Sequence, residues 1–178
     1  TVIPADAKGL MKAAIRDNNT VLFLESEMMY GKTGEVPDGE HLVEIGVGDI
    51  KRSGKDVTLV AWNKMVYIAL DAAVELEKEG IDVEVLDPRT LMPLDEELIF
   101  NSVRKTNRLV VLEEGWGVAS FGCHIVDRVV KECFDSLDAP PERVTNAFVP
   151  MPYNERLEHE ALPSVEKTIA AIKAVLYK

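Results

Sequence analysis

The sequence predicts an α/β fold of three layers (αβα), in which a mostly parallel sheet lies between helices. Short apolar runs, typical of strands buried on both faces, alternate with longer segments that have the apolar period of a helix. This alternation favours a parallel sheet with helices on both faces. A length of 178 residues with 47% hydrophobic residues is enough for a full core. We therefore expect one complete domain of this kind, preceded by the tail of another α/β domain.

The opening of the chain is interpreted as the end of that preceding domain. Residues 6–16 have the apolar pattern of a helix that should stop at the turn Asp17-Asn18-Asn19. The apolar run Val21 to Leu24 is typical of a strand buried on both faces. From residue 26 to about 44 the apolar pattern fails and glycine and proline recur, which indicates a linker. The predicted division is 1–26 for the end of the first domain, 27–45 for the linker and 46–178 for the main domain.

The main domain is predicted to alternate four strands with four helices. Gly80 closes the first of these helices, and Pro93 with Asp95 opens the second. The strands are expected at residues 57–62, 83–86, 109–112 and 143–145. The helices are expected at residues 64–79, from about 93 past 103, 120–134 and 164–177.

The chain is acidic, with a net charge of -11 and a sequence pI near 4.8. This argues against nucleic acid as a partner, because phosphate binding needs clustered Lys and Arg. The acidity favours an ordinary solvated surface. The alternative is a docking face for a basic partner, since complementary charge speeds encounter.

The two cysteines and three histidines predict no disulfide and no zinc site. Cys123 and Cys133 fall in one predicted helix, where ten residues separate them by about 15 Å, too far for a disulfide. Unpaired cysteines fit a reducing compartment. His41, His124 and His159 share no ligand spacing. No apolar run approaches a membrane span of about 18 residues, and no signal-like start is present, so we expect no membrane partner.

Three short sequence motifs follow one another in the last third of the chain, and two more motifs occur near its start. These motifs are Glu113–Trp116, Leu137–Thr145 and Val149–Tyr153, then Asp6–Leu10 and Ala14–Asn19. Together they resemble the carboxyl-terminal half of the beta subunits of thiamine-diphosphate-dependent 2-oxo-acid dehydrogenases, most closely those of the pyruvate dehydrogenase (acetyl-transferring) type. The resemblance covers nearly the whole chain. It implies, independently of the periodicity, the fold of the transketolase carboxyl-terminal domain.

The resemblance also implies a reaction whose chemistry lies elsewhere in the whole subunit. In the family, a Glu that activates thiamine diphosphate and an active-site His both correspond to positions upstream of Thr1. We therefore expect no catalytic and no cofactor-binding residue in this chain, and no activity of the chain alone. The implied reaction is oxidative decarboxylation of pyruvate with transfer of the acetyl group to a lipoyl group, using thiamine diphosphate and magnesium. The implied compartment is the cytoplasm in a bacterium or, alternatively, the mitochondrial matrix.

The partners that the resemblance implies are an alpha subunit, a second beta subunit and the dihydrolipoyl acetyltransferase. This part of the subunit is expected to organise the tetramer and to help dock the acetyltransferase. A branched-chain 2-oxo-acid or an acetoin dehydrogenase shares the same domain and stays open as an alternative. So does a free-standing protein-binding module, a different class of protein.

Residues Ala14, Ile15, Asp17 and Asn19 match family positions that bind potassium. The last turn of a helix leaves carbonyl oxygens unpaired and carries partial negative charge, which suits a cation. Hard cations prefer oxygen ligands such as the carboxylate of Asp17. The alternative is a plain helix end at which Asx side chains bond their own backbone.

Two further segments are candidates for contacts. The loop from Gly115 to Gly122 follows a strand at the edge where doubly wound sheets bind ligands, and free amides at its helix start could hold an anion. Its Trp116 is more simply a packing anchor. The sequence also departs here from the family, which commonly has Pro in place of Gly117 and a small or acidic residue in place of His124. The stiff run Pro150 to Tyr153 is expected at a subunit contact, or else as a rigid crossover to the last helix.

Overall fold

The computed structural model describes residues 3–178, so Thr1 and Val2 of the predicted first domain lie outside the described part. Helices begin and end close to where the sequence places them. The helices are α1 (Pro4–Arg16), α2 (Met65–Glu77), α3 (Glu96–Thr106), α4 (Phe121–Cys133), α5 (Glu155–Ala161) and α6 (Val165–Val175). The strands are β1 (Asp49–Arg52), β2 (Val57–Ala61), β3 (Val83–Asp87), β4 (Leu109–Trp116) and β5 (Glu142–Asn146). Single 3-10 turns occur at Glu27–Met29 and Phe134–Ser136.

Local signals fix the ends of α3. The side chain of Asp95 accepts a hydrogen bond from the amide of Leu98 at 3.1 Å, which caps the helix start. Acidic residues occupy its first turn and basic residues its last, in line with the helix dipole. Asn107 then adopts a left-handed conformation with φ of 61° and ends the helix.

The five strands form one sheet in the order β1-β3-β2-β4-β5. The pairs β3-β2, β2-β4 and β4-β5 are parallel, and β1 pairs antiparallel with β3 at the edge. Every residue of β2 and of β3 is buried, as expected of central parallel strands covered on both faces.

Two apolar cores lie on opposite faces of this sheet. One contains side chains of α2 and α6, and the other contains side chains of α3 and α4. Residues of one strand alternate between the cores: Leu59 belongs to the first and Val60 to the second. The predicted three-layer αβα architecture with a mostly parallel sheet is therefore confirmed.

The strand predicted at Val21–Leu24 is wrong. Leu22 is 82% exposed and Leu24 is 63% exposed, and neither belongs to the sheet of the described residues. An apolar run becomes a buried strand only where neighbouring strands accept its backbone hydrogen bonds, and this run has none in the described part of the chain. It lies within an irregular stretch, residues 17–48, that contains one 3-10 turn and no strand or α-helix.

Two elements were not predicted. Strand β1 has one apolar residue, Ile50, among three charged ones, because an antiparallel edge strand is only half buried. Helix α5 is seven residues long and mostly exposed, so it has no core-facing stripe that a periodicity could show.

Candidate functional site

A buried carboxylate organises the loop that follows β4 at the carboxyl edge of the sheet. Glu113 is 3% exposed, and its Oε1 accepts a hydrogen bond from the hydroxyl of Ser120 at 2.5 Å. Its Oε2 accepts a hydrogen bond from the amide of Gly122 at 3.1 Å. Gly122 lies in the first turn of α4, where amides have no partner inside the helix and negative charge is favourable. The carboxylate of Glu113 thus occupies the position at which the sequence predicts a bound anion.

Arg143 holds the same loop from the neighbouring strand β5. Its Nη1 donates to the carbonyl oxygen of Gly117 at 2.8 Å and to the hydroxyl of Ser120 at 3.0 Å. The same atom lies 3.8 Å from Oε1 of Glu113. The Ser120 hydroxyl has one proton, so it accepts from Arg143 and donates to Glu113. These bonds fix a turn in which Ala119 has an unfavourable left-handed φ of 55°.

Exposed apolar side chains lie at the end of β4, in the loop after it and in the segment after β5. Trp116 is half exposed, stacks edge-on against Phe148 with 5.5 Å between ring centroids, and donates from Nε1 to the carbonyl oxygen of Val149 at 3.1 Å. The packing predicted for Trp116 therefore occurs at the surface and not in the core. We call these side chains the edge platform, which consists of Trp116, Val118, Phe148, Val149, Met151 and Tyr153.

The predicted contact segment lies within the edge platform. Pro150 to Tyr153 forms no helix or strand and connects β5 to α5. The side chain of Tyr153 is fully exposed, and Met151 is about half exposed. Exposed apolar groups on a stiff segment are suited to contact with another chain.

A second group of charges joins α1 to the other edge of the sheet. Nζ of Lys51 lies 2.6 Å from Oδ2 of Asp6 and 2.6 Å from Oδ2 of Asp49. Nη2 of Arg89 lies 2.7 Å from Oδ1 of Asp6 and 3.1 Å from Oδ2 of Asp49. The side chains of Asp6 and Lys51 are almost fully buried. We call these four residues the ion cluster; it fastens α1 to strand β1 and to the turn after β3.

The ion cluster changes the pKa of the carboxyl groups near it. Burial alone would raise the pKa of Asp6, but hydrogen bonds and charges from Lys51 and Arg89 outweigh burial and lower it. Asp87 lies next to the cluster, and burial raises its pKa although it accepts a hydrogen bond from the amide of Arg89 at 2.8 Å. Asp6 is therefore held ionised, whereas Asp87 has a stronger tendency to be protonated.

The four residues predicted to bind potassium lie together at the end of α1. The helix ends at Arg16, and the carbonyl oxygens of Ala14 and Ile15 receive no described amide from beyond the helix. Oδ1 of Asp17 accepts hydrogen bonds from the amide of Asn19 at 2.7 Å and from its Nδ2 at 3.0 Å. Within residues 3–178, the second oxygen of Asp17 and the amide oxygen of Asn19 have no such bond. The oxygen donors present fit a monovalent cation, and the Asx turn equally fits a plain helix end.

Other ligand sets do not form in the described residues. No three His, Cys, Asp or Glu side chains come together there in an arrangement that could hold a metal ion. Cys123 and Cys133 are both free and lie on α4. None of the described helices is long and apolar enough to cross a membrane.

Sequence reasoning did not single out Glu113, Arg143, Asp6 or Arg89 as organising residues. In the sequence, each of them is only one position of a longer motif or one of many charged residues. A charged residue directly after an apolar strand run is the signal that could have identified Glu113, because strand ends place such groups at the sheet edge.

The fold is an αβα domain with a mostly parallel sheet and an ordered loop at the carboxyl edge of that sheet. Sequence comparison identifies a family of this class. Residues 46–168 match the family described as "Transketolase, C-terminal domain". This match spans more than half of the chain, so the chain belongs to that family. The match begins at residue 46 and ends at residue 168.

Relatives of this chain include beta subunits of pyruvate dehydrogenase and of an acetoin oxidoreductase. It is 50% identical over 98% of its length to the pyruvate dehydrogenase E1 component subunit beta of Rhizobium meliloti, of which it covers 38%. It is 49% identical over 97% of its length to the mitochondrial beta-1 subunit of Oryza sativa, of which it covers 47%. It is 45% identical over 99% of its length to the acetoin:2,6-dichlorophenolindophenol oxidoreductase subunit beta of Bacillus subtilis, of which it covers 52%.

A solved structure supports the same family. It is described as "Split gene transketolase, inactive beta4 tetramer", and superimposes on 81% of this chain and 46% of that chain. The TM-score is 0.67 and the sequence identity is 31%. The chain thus spans about half the length, or less, of the proteins it matches.

Proposed function

We propose that this chain is the carboxyl-terminal part of the beta subunit of a thiamine-diphosphate-dependent pyruvate dehydrogenase. The observation that carries the proposal is 50% identity along 98% of the chain to such a subunit. In the whole protein, pyruvate would undergo oxidative decarboxylation, and its acetyl group would pass to a lipoyl group. Thiamine diphosphate and magnesium would bind outside this chain, which would contribute no catalytic residue.

The role proposed for this part is assembly of the subunits. The edge platform offers apolar side chains on a segment that Pro150 and Pro152 stiffen, so that binding would order few additional torsions. The similar split-gene transketolase is described as a tetramer of beta chains. We assign the platform to contact with a second beta subunit or with an alpha subunit.

Docking of the dihydrolipoyl acetyltransferase is the second proposed role. Helix α5 follows the edge platform and exposes the carboxylates of Glu155, Glu158 and Glu160. With a net charge of -11, the chain would attract a basic partner and speed its encounter.

A potassium ion at Ala14, Ile15, Asp17 and Asn19 is also proposed. The ion would hold the end of α1 by neutralising unpaired carbonyl dipoles and the carboxylate of Asp17. Its role would be structural, because α1 is fastened to the sheet by the ion cluster and not to a reacting group of this chain.

An acetoin dehydrogenase beta subunit is the second candidate function, favoured by 45% identity over 99% of the chain. A branched-chain 2-oxo-acid dehydrogenase and a free-standing binding module stay as further alternatives. Relatives include both bacterial and mitochondrial proteins. The compartment proposed is accordingly the cytoplasm in a bacterium and the mitochondrial matrix otherwise.

A chimera tests the proposal. The matching part of the Rhizobium meliloti beta subunit is replaced with this chain and co-expressed with the cognate alpha subunit. We expect a tetramer that decarboxylates pyruvate. A folded chimera that does not bind the alpha subunit would contradict the assembly role, and an assembled chimera that does not decarboxylate pyruvate would contradict the assignment.

A further inference from the structure

A fully buried carboxylate lies at the opposite, amino edge of the sheet. Glu84 is in β3, the strand next to the antiparallel edge strand, and has no exposed surface. A buried charge of this kind is costly unless it is hydrogen-bonded and paired. Its partners therefore matter for the stability of the whole sheet.

Three groups contact the Glu84 carboxylate. Oε1 accepts a hydrogen bond from the hydroxyl of Ser102 at 2.5 Å, and Oε2 accepts one from the amide of Gly54 at 3.3 Å. Nζ of Lys105 forms an ion pair with Oε2. Ser102 and Lys105 both belong to α3, so the carboxylate joins this helix to the centre of the sheet.

A chain of hydroxyls extends the network. Oγ of Ser102 lies 2.7 Å from Oγ1 of Thr58, which lies 2.7 Å from Oγ1 of Thr106. Because Ser102 donates its single proton to Glu84, it accepts from Thr58. Thr106 also lies 3.2 Å from the carbonyl oxygen of Arg108, to which its hydroxyl can donate.

Lys105 combines access to solvent with a buried partner. Its side chain is 46% exposed, whereas its carboxylate partner is 0% exposed. Among the ion pairs of the described residues, the Lys105–Glu84 pair alone joins a lysine that is nearly half exposed to a carboxylate with no exposed surface. Lys131 also lies in the last turn of a helix, α4, but its partner Asp127 is 55% exposed. Loss of charge at these two lysines should therefore have unequal effects.

We propose that Lys105 is an acylation site whose modification destabilises the domain. In the reaction, the neutral amine attacks the carbonyl carbon of an acyl phosphate. A C–N amide bond forms, the C–O bond to phosphate breaks, phosphate leaves with the electron pair, and the nitrogen releases a proton to water. The amide carries no charge, so Glu84 is left buried without a cation. Reaction proceeds from molecules in which the pair at the end of α3 has opened to solvent.

Matched variants of the 178-residue chain test the stability part. K105Q, which removes the charge as acetylation does, should lower the Tm by about 5 °C. K131Q removes a charge from the same position of another helix and should shift the Tm by about 1 °C or less. K105R keeps the charge and should recover most of the loss. In an E84Q background, K105Q should cost less than half as much, because a neutral amide needs no cation.

Acetylation of the native chain with acetyl phosphate tests the site itself. Peptide mass spectrometry should find Lys105 modified to within about tenfold of Lys131, and the Tm should fall in proportion to occupancy at Lys105. Three outcomes would overturn the proposal. These are an unmodified Lys105 beside a modified Lys131, a K105Q shift equal to that of K131Q, and an undiminished K105Q loss in the E84Q background.

Discussion

The amide of Gly122 lies 3.1 Å from Oε2 of Glu113, and a Cβ added at residue 122 would overlap the other oxygen of the same carboxylate. The added atom would also lie 2.9 Å from Cδ of Glu113 and 3.2 Å from Cγ1 of Val111. The start of α4 and the end of β4 are therefore packed as closely as the absence of a side chain permits.

Replacement of Gly122 with alanine is expected to destabilise the chain by about 2 kcal/mol, because the carboxylate must move away from the helix amide. Urea unfolding measures the change. Gly31→Ala is the matched control, since no atom lies within 4 Å of its added Cβ, and should change stability by no more than about 0.5 kcal/mol. Equal stability of the two variants would refute the close packing of Glu113 against α4.

The ion cluster should stabilise the fold at neutral pH and lose this effect in acid. Because the pKa of Asp6 is lowered on folding from its ordinary value of 3.8, its ionised form stabilises the fold above that pH. The contribution is lost as the pH falls through the lower folded pKa. Asp6→Asn should thus cost about 3 kcal/mol at pH 7, where Lys51 and Arg89 lose a buried partner.

Melting curves of the parent and of Asp6→Asn between pH 7 and pH 2.5 check this prediction. The two Tm values should differ most at neutral pH and converge below about pH 4, as the parent loses the same interaction. Asp135→Asn, at an exposed position, should track the parent throughout. A gap between parent and Asp6→Asn that stays constant with pH would contradict the electrostatic account.

The edge platform predicts self-association of the isolated chain. Exposed apolar side chains that meet at Trp116 and Phe148 favour burial against a second copy. Tyr153→Asp should weaken the dimer at least tenfold in sedimentation equilibrium. Val74→Asp, an exposed apolar site on α2, serves as the control and should leave the association constant within about twofold. A strict monomer at high concentration would count against the platform as an interface.

Potassium should stabilise the chain if Ala14, Ile15, Asp17 and Asn19 bind it. At ten times its dissociation constant, an ion that binds only the folded state adds about 1.4 kcal/mol and raises the Tm by about 3 °C. The Tm in potassium is compared with the Tm in tetramethylammonium at equal ionic strength. Asp17→Ala should abolish the difference between these two Tm values. Asp38→Ala is the control for loss of an exposed carboxylate. Identical melting curves of the parent in the two salts would assign the segment to a plain helix end.

The sequence could predict the central architecture because its pattern reports burial. Val57–Ala61 and Leu109–Leu112 are buried on both faces and are apolar except for Thr58, so their strand state was predictable. Helix α3 likewise carries its own start signal in Asp95. The same logic failed at Val21–Leu24, since apolarity alone does not show whether a partner strand is adjacent.

The contacts at the sheet edges could not be predicted, because they depend on residues distant in sequence. The ion cluster brings together Asp6 and Arg89, which are 83 positions apart. The loop at the carboxyl edge depends on Arg143, which reaches Gly117 across 26 positions. Neither pair has a local pattern, and only the path of the chain through the fold places the members within hydrogen-bonding distance.

In the proposed function, this chain completes a pyruvate dehydrogenase beta subunit without supplying its catalytic groups. The decisive measurement is pyruvate decarboxylation with thiamine diphosphate and magnesium, made side by side for the chain alone and for the chimera with its alpha subunit. We expect turnover by the chimera and a rate at the buffer level for the chain alone. Turnover by the chain alone, or a folded and assembled chimera that is inactive toward pyruvate, would contradict it.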